Sequence, residues 1–168
     1  MEGVMGLLKL RVKKGINLAV RDTKTSDPYL VATLDTQKTK TKVIKGNCNP
    51  VWNDELTLTV RDPKAPIHIA VYDKDRFSND DSMGVAEIDV KPYIECLRTG
   101  LNMKNVTNGT TLERVQPGKH NFLADESSII WENGKIVQDM VLRLREVECG
   151  EVLIQIEMVP LPGRKLNV

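Results

Sequence analysis

Hydrophobic and polar residues alternate along most of this 168-residue chain. Leu8, Leu10 and Val12 are separated by basic residues, and the run from 152 to 158 places an apolar residue at every second position. A period of two is typical of strands that bury one face. The pattern predicts eight strands, at residues 8–12, 29–34, 38–44, 56–60, 67–72, 85–90, 136–144 and 152–158.

Turn-forming pairs, among them Asn49-Pro50 and Asp62-Pro63, separate these short strands. Many short strands with turns between them favour two packed sheets over a barrel that encloses a ligand. We therefore predict an all-β fold, an eight-stranded antiparallel β-sandwich, with its functional residues in the loops at one end. The chain length fits one domain over residues 1–168.

Residues 91–135 interrupt the alternation. A connection this long is uncommon inside a compact domain, so we interpret it as an insertion with a function of its own. Pro92 at a helix start, followed by apolar residues at helical spacing, predicts one short helix. Asn133-Gly134, between apolar runs, predicts a hairpin that returns the chain to the sheet. The insertion either presents its helix or an aromatic side chain to a partner, or Trp131 covers the open end of the core.

Composition restricts the possible functions. The three cysteines are an odd number without metal-ligand spacing, and no amino-terminal apolar run resembles a signal peptide, so we expect a reducing cytosolic or nuclear compartment. A net charge of +1 argues against nucleic-acid binding. The apolar stretches are too short to cross a bilayer, so any membrane contact should be peripheral.

Enzymatic activity has little support in the sequence. The two histidines, His68 and His120, lie in a predicted strand and in the insertion, without a nucleophile motif nearby. The chain has no glycine-rich phosphate-binding loop. We predict no catalytic centre. An accessory that stimulates a partner GTPase needs an exposed arginine or a positioning surface, and Arg76, Arg98 and Arg114 are the candidate arginines.

Five aspartates in two short segments are the strongest chemical signal. Asp22 and Asp27 lie between the first two predicted strands, and Asp73, Asp75 and Asp81 follow the fifth. Calcium takes about 6–8 oxygen ligands with irregular geometry, so carboxylates from two loops can share ions. The alternative is that these aspartates are solvated loop acids.

Three lysines form a second charged feature. Lys38, Lys40 and Lys42 alternate with other residues and so project from one face of a predicted strand. Each basic residue near an anionic bilayer contributes about 1 kcal/mol, so three lysines would add roughly two decades of affinity. The alternative is a solvated charged face.

Several motifs occur together in a fixed order: Ser26-Asp-Pro-Tyr29, Lys38-Thr-Lys-Thr41, Asn49-Pro-Val-Trp-Asn-Asp-Glu55, Tyr72-Asp-Lys-Asp75 and Met83-Gly84. On these motifs the chain resembles a C2 domain, over residues from about 6 to 90 and from about 136 to 159. Because the insertion precedes the last two strands, the chain is similar to the small plant C2-domain abscisic-acid-related (CAR) proteins. Its strand order resembles the type II arrangement of that family.

The resemblance implies two calcium ions, bound by the five aspartates and by the main-chain carbonyls of Arg21 and Lys74. Asp80 does not match a ligand and is expected to stay solvated. The ions would neutralise most of the carboxylate charge, so that Lys24, Lys74 and Arg76 would face lipid phosphates unopposed. Phe77 either inserts its ring into the lipid or packs against a neighbouring loop. The lysine-rich cluster of calcium-binding C2 domains corresponds to the strand that carries Lys40.

We therefore expect a calcium-dependent phospholipid-binding module that docks on the anionic plasma membrane. The resemblance implies that it recruits a signalling partner, a soluble abscisic-acid receptor. Two alternatives remain: a GTPase-activating accessory for a small or unconventional G protein, and a calcium-independent protein scaffold that acts through the insertion. The expected location is cytoplasmic and peripheral at the plasma membrane, with the nucleus as an alternative.

Overall fold

A computed structural model describes residues 3–21, 23–100 and 106–161. This part of the chain forms two antiparallel sheets and one helix. In chain order the elements are β1 (Gly6–Ile16), β2 (Pro28–Leu34), β3 (Gln37–Lys40), β4 (Val51–Val60), β5 (Ile67–Asp73), β6 (Asp81–Ile88), α1 (Lys91–Gly100), β7 (Thr110–Val115), β8 (Ser127–Glu132), β9 (Lys135–Arg143) and β10 (Glu151–Pro160).

The two sheets pack face to face around one core. The larger sheet has the strand order β4-β1-β10-β9-β8-β7, and the smaller sheet has the order β3-β2-β5-β6. Alternate residues of both sheets, such as Leu10, Leu30 and Ile69, are fully buried between them. This arrangement is how period-two sequences remove their apolar faces from water, and it confirms the predicted antiparallel sandwich.

Trp52 joins the two sheets near the end where β2 begins. Its side chain is fully buried, and its indole N–H donates a hydrogen bond to the carbonyl of Pro28 at 3.1 Å. The ring therefore contributes apolar area to the core and satisfies its one polar group on the facing sheet. This contact fixes the start of β2, which is where the first aspartate loop ends.

Strand β3 is shorter than predicted, because it ends at Lys40 and not at residue 44. Beyond Lys40 the buried Thr41 turns its hydroxyl inward, where it accepts a hydrogen bond from the Leu30 N–H at 2.9 Å. The hydroxyl takes the place of a main-chain acceptor, and the ladder stops there. Lys42 consequently lies outside the strand that carries Lys38 and Lys40.

The insertion contributes two strands to the larger sheet. The predicted hairpin is confirmed: β8 and β9 pair antiparallel through Asn133 and Gly134, whose φ angles of 52° and 78° are those of a tight hairpin turn. Strand β7 was not predicted. It lies at the sheet edge beyond β8 and has only Leu112 and Val115 as apolar residues, so its sequence carries little alternation.

Helix α1 confirms the predicted short helix and closes the end of the sandwich where β9 and β10 separate. Tyr93 is fully buried, its hydroxyl donates to the carbonyl of Ile136 at 2.6 Å, and it accepts from the Met158 N–H at 2.7 Å. Burial raises the pKa of this hydroxyl. Trp131 is half-buried and packs against the same core. No helix among the described residues is long and apolar enough to span a bilayer.

Candidate calcium site and membrane-facing end

Four connections meet at one end of the sandwich, which we call the loop end; their described residues are 17–21 with 23–27, 41–50, 74–80 and 144–150. Main-chain hydrogen bonds tie the first three together. The Lys74 N–H donates to the carbonyl of Asp27 at 3.0 Å, and the Asn47 N–H donates to the carbonyl of Ser26 at 3.0 Å. The loop end is therefore an ordered surface on which side chains from distant parts of the sequence become neighbours.

Asp27 and Asp73 lie at the base of the loop end. Asp73 is buried, and its Oδ1 accepts a hydrogen bond from the Asp27 N–H at 2.7 Å. The Oδ1 of Asp27 accepts from the Gly46 N–H at 2.7 Å. Asp81 begins β6 directly opposite Asp73 in the β5–β6 ladder, and its side chain is exposed. Three predicted ligands thus come from three different segments and converge on one region.

Asp75 lies in the connection after β5 and turns back on its own loop. Its Oδ1 accepts from the Phe77 N–H at 3.0 Å, and its Oδ2 accepts from the Ser78 hydroxyl at 2.8 Å. These hydrogen bonds, that of Phe77 first, lower the pKa of the Asp75 carboxyl. The carboxylate is charged, and it fixes the turn that presents Phe77.

Asp80 does not stay solvated, and this expectation was wrong. Its Oδ2 accepts a short hydrogen bond from the hydroxyl of Tyr29 and lies 3.8 Å from the Nζ of Lys74, and its Oδ1 accepts from the Asp75 N–H at 2.9 Å. The Tyr29 hydrogen bond is the main cause that lowers the pKa of Asp80. Burial first, and then Asp80, raise the pKa of Tyr29 to about 12. Asp80 is the last residue of the connection before β6, and nothing in the local sequence indicated that its side chain contacts Tyr29.

Arg21 joins the fourth connection, residues 144–150, to the first connection. Its guanidinium donates two hydrogen bonds to the carboxylate of Glu148, at 2.7 and 2.8 Å, and its Nε donates to the carbonyl of Ser82 at 3.1 Å. The arginine hydrogen bond lowers the pKa of Glu148 to about 2. Nothing in the sequence identified Glu148, since it is separated from Arg21 by 127 positions. The ion pair holds the loop whose main-chain carbonyl at Arg21 is a predicted ligand.

The donor set has the chemistry that calcium requires. Asp27, Asp73, Asp75 and Asp81 all lie at the loop end, while Asp22 lies outside the described residues. Among the residues the structure describes, no three acidic, histidine or cysteine side chains are arranged as metal ligands. The oxygens of Asp27 and Asp75 are instead used by N–H and hydroxyl donors. Hard carboxylate oxygens fit calcium, and binding requires them to exchange these hydrogen bonds for an ion.

Apolar side chains are exposed at the same end. Phe77 is 95% exposed and does not pack against a neighbouring loop. Val20, which the sequence analysis did not single out, is 48% exposed in the first connection. Arg76, next to Phe77, is also exposed. Two apolar residues from separate loops therefore flank the aspartates, next to a basic side chain.

The lysine strand lies beside the loop end on the outer face of the smaller sheet. Lys38 and Lys40 are exposed on β3, and the Nζ of Lys40 lies 6.0 Å from the ring centroid of Tyr29. The Tyr29 ring in turn lies 5.7 Å from that of Tyr72. Lys42 is exposed as well, but its N–H and Nζ contact the carboxylate of Asp54 at 2.8 and 3.5 Å. Lys38 and Lys40 therefore share one exposed face of β3, whereas Lys42 lies beyond the strand and is engaged by Asp54.

The insertion has a groove of its own, away from the aspartates. A cavity of about 750 Å³ lies between α1 and β7 and is lined by Cys96, Leu112 and Arg114 among others. Arg114 is exposed and lies 3.7 Å from Glu126. Trp131 is half-buried and packs against the core. The insertion therefore covers part of the core with Trp131 and presents a concave surface between α1 and β7.

Comparisons with known proteins identify the family. A profile of the C2 domain family matches residues 6–109. Protein C2-DOMAIN ABA-RELATED 10 of Arabidopsis thaliana is 54% identical over 153 residues, which cover 91% of this chain and 85% of that protein. GTPase activating protein 1 of Oryza sativa subsp. indica is 49% identical over 162 residues and 96% of each chain.

Solved structures show the same fold. The calcium-bound pair of C2 domains of Extended-Synaptotagmin 2 superposes with a TM-score of 0.64 at 21% identity, over 94% of this chain and 46% of that two-domain chain. A single C2 domain of plant Extended Synaptotagmin 1 gives a TM-score of 0.60 at 18% identity, over 94% of this chain and 97% of that one. The chain belongs to the C2 domain family and, within it, to the plant C2-domain ABA-related proteins.

Proposed function

We propose that this protein is a calcium-dependent module that docks its loop end on anionic membrane. The observation that supports this most strongly is the presence, on one surface, of four aspartates, exposed basic side chains and the almost fully exposed ring of Phe77. The carboxylates around the Phe77 ring are repelled by an anionic bilayer, so the ring can enter the bilayer only when a cation offsets their charge.

Calcium supplies positive charge at the aspartates and coordination positions that lipid oxygens can occupy. Asp27, Asp73, Asp75 and Asp81 would hold it, together with Asp22 and the carbonyls of Arg21 and Lys74. Once the carboxylate charge is offset, Arg76 and Lys74 attract the phosphate oxygens of the leaflet. Lys38 and Lys40 extend this attraction along the outer face of β3.

Insertion of Phe77 would add an apolar contribution to this electrostatic docking. The ring is already exposed, so inserting it removes apolar area from water without breaking a contact inside the protein. Val20 extends the apolar surface to the first loop. We assign the docked state to the cytoplasmic face of the plasma membrane, where anionic lipids concentrate, and we keep the nucleus as an alternative location.

We further propose that the docked protein carries a partner, a soluble abscisic-acid receptor. The support is the name of the Arabidopsis relatives, C2-domain ABA-related, which share 48–54% identity with this chain. The groove between α1 and β7 lies on the insertion, away from the aspartates, and offers a surface for such a partner. Charge reversal of two exposed residues that line the groove, Glu95→Lys and Arg114→Glu, keeps β7 in the sheet and should abolish receptor binding while vesicle binding stays unchanged. Unchanged receptor binding would count against an interface on the insertion.

A second candidate function is stimulation of a GTPase. The specific observation is the name of the rice relatives, GTPase activating protein 1, at 49% identity. Exposed arginines, such as Arg76 and Arg114, are available to a bound GTPase. Single-turnover GTP hydrolysis by a candidate GTPase, measured with and without this protein, distinguishes the two functions. Acceleration that is lost in Arg114→Lys or Arg76→Lys supports the accessory role.

Vesicle sedimentation tests the primary proposal. The native protein should pellet with phosphatidylserine vesicles only when free calcium is present, and the Asp22→Ala/Asp27→Ala double variant should lose this dependence. Asp35→Asn is a matched control, since Asp35 lies in the β2–β3 turn, at the opposite end of β2 from the loop end. Equal pelleting with calcium and with chelator would overturn the calcium requirement and leave the lysines as the docking group.

A further inference from the structure

Asp80 lies between the two surfaces that the proposed function uses. On one side its Oδ1 accepts from the Asp75 N–H, at 2.9 Å, within the third aspartate loop. On the other side its Oδ2 accepts from the hydroxyl of Tyr29, whose ring lies under the Nζ of Lys40. Its side chain is 18% exposed, so it is held in place by the fold.

The charge of Asp80 is not available to a metal ion in this arrangement. Both of its oxygens accept hydrogen bonds from donors that belong to the protein: Oδ1 accepts from the N–H of Asp75, itself a predicted ligand, and Oδ2 accepts from the Tyr29 hydroxyl. The Lys74 ammonium lies on the same side as the Tyr29 hydroxyl, so the carboxylate is surrounded by donors and a cation of the protein itself. When calcium offsets the charge of its four described neighbours, Asp80 stays an anion.

Two lysines that should attract lipid are close to this anion. Lys74 places its Nζ 3.8 Å from the Asp80 Oδ2. Lys40 lies above the ring of Tyr29, and its charge acts on Asp80 as well. A carboxylate held at this position offsets part of the positive potential that the two lysines present to a leaflet, and it competes with lipid phosphate for the Lys74 ammonium.

We propose that Asp80 is an intramolecular counter-anion, which weakens the attraction of the loop end for anionic lipid and so sets the fraction of anionic lipid that docking requires. This inference rests on the proposed calcium-dependent docking. Its ligand is the phosphate of an anionic lipid head group in a bilayer. Asp80 thus acts in the opposite direction to Asp27, Asp73, Asp75 and Asp81, because its removal strengthens membrane binding where theirs weakens it.

Vesicles of phosphatidylcholine with increasing fractions of phosphatidylserine test this at saturating calcium. Asp80→Asn keeps the size of the side chain and groups that can bond to Tyr29 and Asp75, and it removes the charge. We expect vesicle affinity to rise about five-fold, as for one charge near an anionic surface, and half-maximal binding to occur at a lower phosphatidylserine fraction. Asp35→Asn makes the same change of net charge far from the loop end and should bind like the native protein.

Two further measurements make the result decisive. Calorimetric titration with calcium, without lipid, should show an affinity of Asp80→Asn equal to or lower than that of the native protein, since a neighbouring anion is lost. Asp80→Ser, which also removes the charge, should reproduce the gain if Asp80→Asn does not fold.

Unchanged vesicle affinity in both variants overturns the proposal, and so does a gain that tighter calcium binding accounts for. If the native protein does not bind phosphatidylserine vesicles in the presence of calcium, the proposed docking function is wrong, and the role of Asp80, which depends on it, is wrong as well.

Discussion

At the scale of single residues, side chains at the loop end have distinct roles that their residue types alone do not reveal. Asp73 and Asp80 are both aspartates of one short segment, yet Asp73 is buried and accepts from Asp27, while Asp80 contacts Tyr29 and Lys74. Asp73 ends β5, whereas Asp80 ends the connection that follows it, so the two carboxylates lie in different surroundings. A substitution in this segment therefore acts on the calcium site or on the lysine surface, according to its position.

Phe77 provides the clearest prediction at this scale. Its ring is 95% exposed, so Phe77→Ala should leave the melting temperature unchanged. If the ring inserts, its loss should lower calcium-dependent vesicle affinity by about ten-fold, the equivalent of partial burial of an aromatic side chain. Vesicle sedimentation at saturating calcium measures this. Val159→Ala, which truncates an exposed apolar residue of β10, is the control and should bind normally.

Part of this residue-scale picture could be predicted from the sequence. The positions of Asp27, Asp73, Asp75 and Asp81 at one end follow from strands that start and stop at recognisable turns, and their role as ligands stays a prediction. The contacts of Asp80 and the Arg21–Glu148 ion pair could not be predicted. Both depend on which strands lie side by side, and the local pattern carries no signal for partners so distant in sequence.

At the scale of elements, β3 illustrates how one side chain changes a strand. The predicted strand extends to residue 44, but the Thr41 hydroxyl replaces a main-chain acceptor and the ladder ends at Lys40. The other predicted strands are present because their alternating residues face a common core. Strand β7 escaped prediction because an exposed edge strand needs few apolar residues, and its pairing with β8 holds it in place.

The end of β3 leads to a prediction about the lysines. Lys38 and Lys40 are exposed and project from the strand, whereas Lys42 lies beyond it and contacts Asp54. Lys40→Gln should reduce affinity for phosphatidylserine vesicles by about five-fold, and Lys42→Gln should reduce it less. Sedimentation at equal calcium compares the two single variants. Equal losses would show that the Asp54 contact does not restrain Lys42 at the membrane.

Helix α1 is held to the sandwich through Tyr93, and this contact leads to a stability prediction. Tyr93→Phe removes the hydroxyl that bonds Ile136 and Met158, and it leaves a buried carbonyl and N–H without a partner. We expect the free energy of unfolding to fall by about 1–3 kcal/mol, as measured by urea denaturation. Tyr72→Phe is the matched control, since Tyr72 is half-buried on the outer face of the smaller sheet. A loss as large in Tyr72→Phe would contradict the role given to the Tyr93 hydroxyl.

At the scale of the whole molecule, the sandwich separates two surfaces. The loop end gathers four connections with the aspartates, and the insertion adds α1, β7 and β8 away from them. Because a rigid core joins the two surfaces, the protein can bind a membrane with one and a partner with the other. Sheet order and insertion placement give the molecule this division; the interruption of the alternation predicted the insertion, while the strand order was expected only from the resemblance to C2 domains.

Calcium should stabilise the whole fold. An ion that binds only the folded state, at a free concentration 100 times its dissociation constant, raises the free energy of unfolding by about 2.7 kcal/mol. For a chain of this size the melting temperature should then rise by about 5–10 °C. Thermal unfolding followed by circular dichroism, with calcium against magnesium, measures the shift. The Asp22→Ala/Asp27→Ala double variant should show a much smaller rise. Equal melting temperatures in calcium and in chelator would argue against a calcium site.

Fluorescence of a Phe77→Trp variant, with vesicles that contain brominated lipids, tests whether the loop end enters the membrane when calcium is present. Only the new indole lies at the tip of the loop end, because Trp52 is fully buried and Trp131 lies in the insertion; the native protein serves as the background. With phosphatidylserine vesicles we predict a blue-shifted emission and quenching by bromine that appear on addition of calcium and disappear with chelator. Calcium-dependent pelleting without quenching at residue 77 would contradict docking through the loop end.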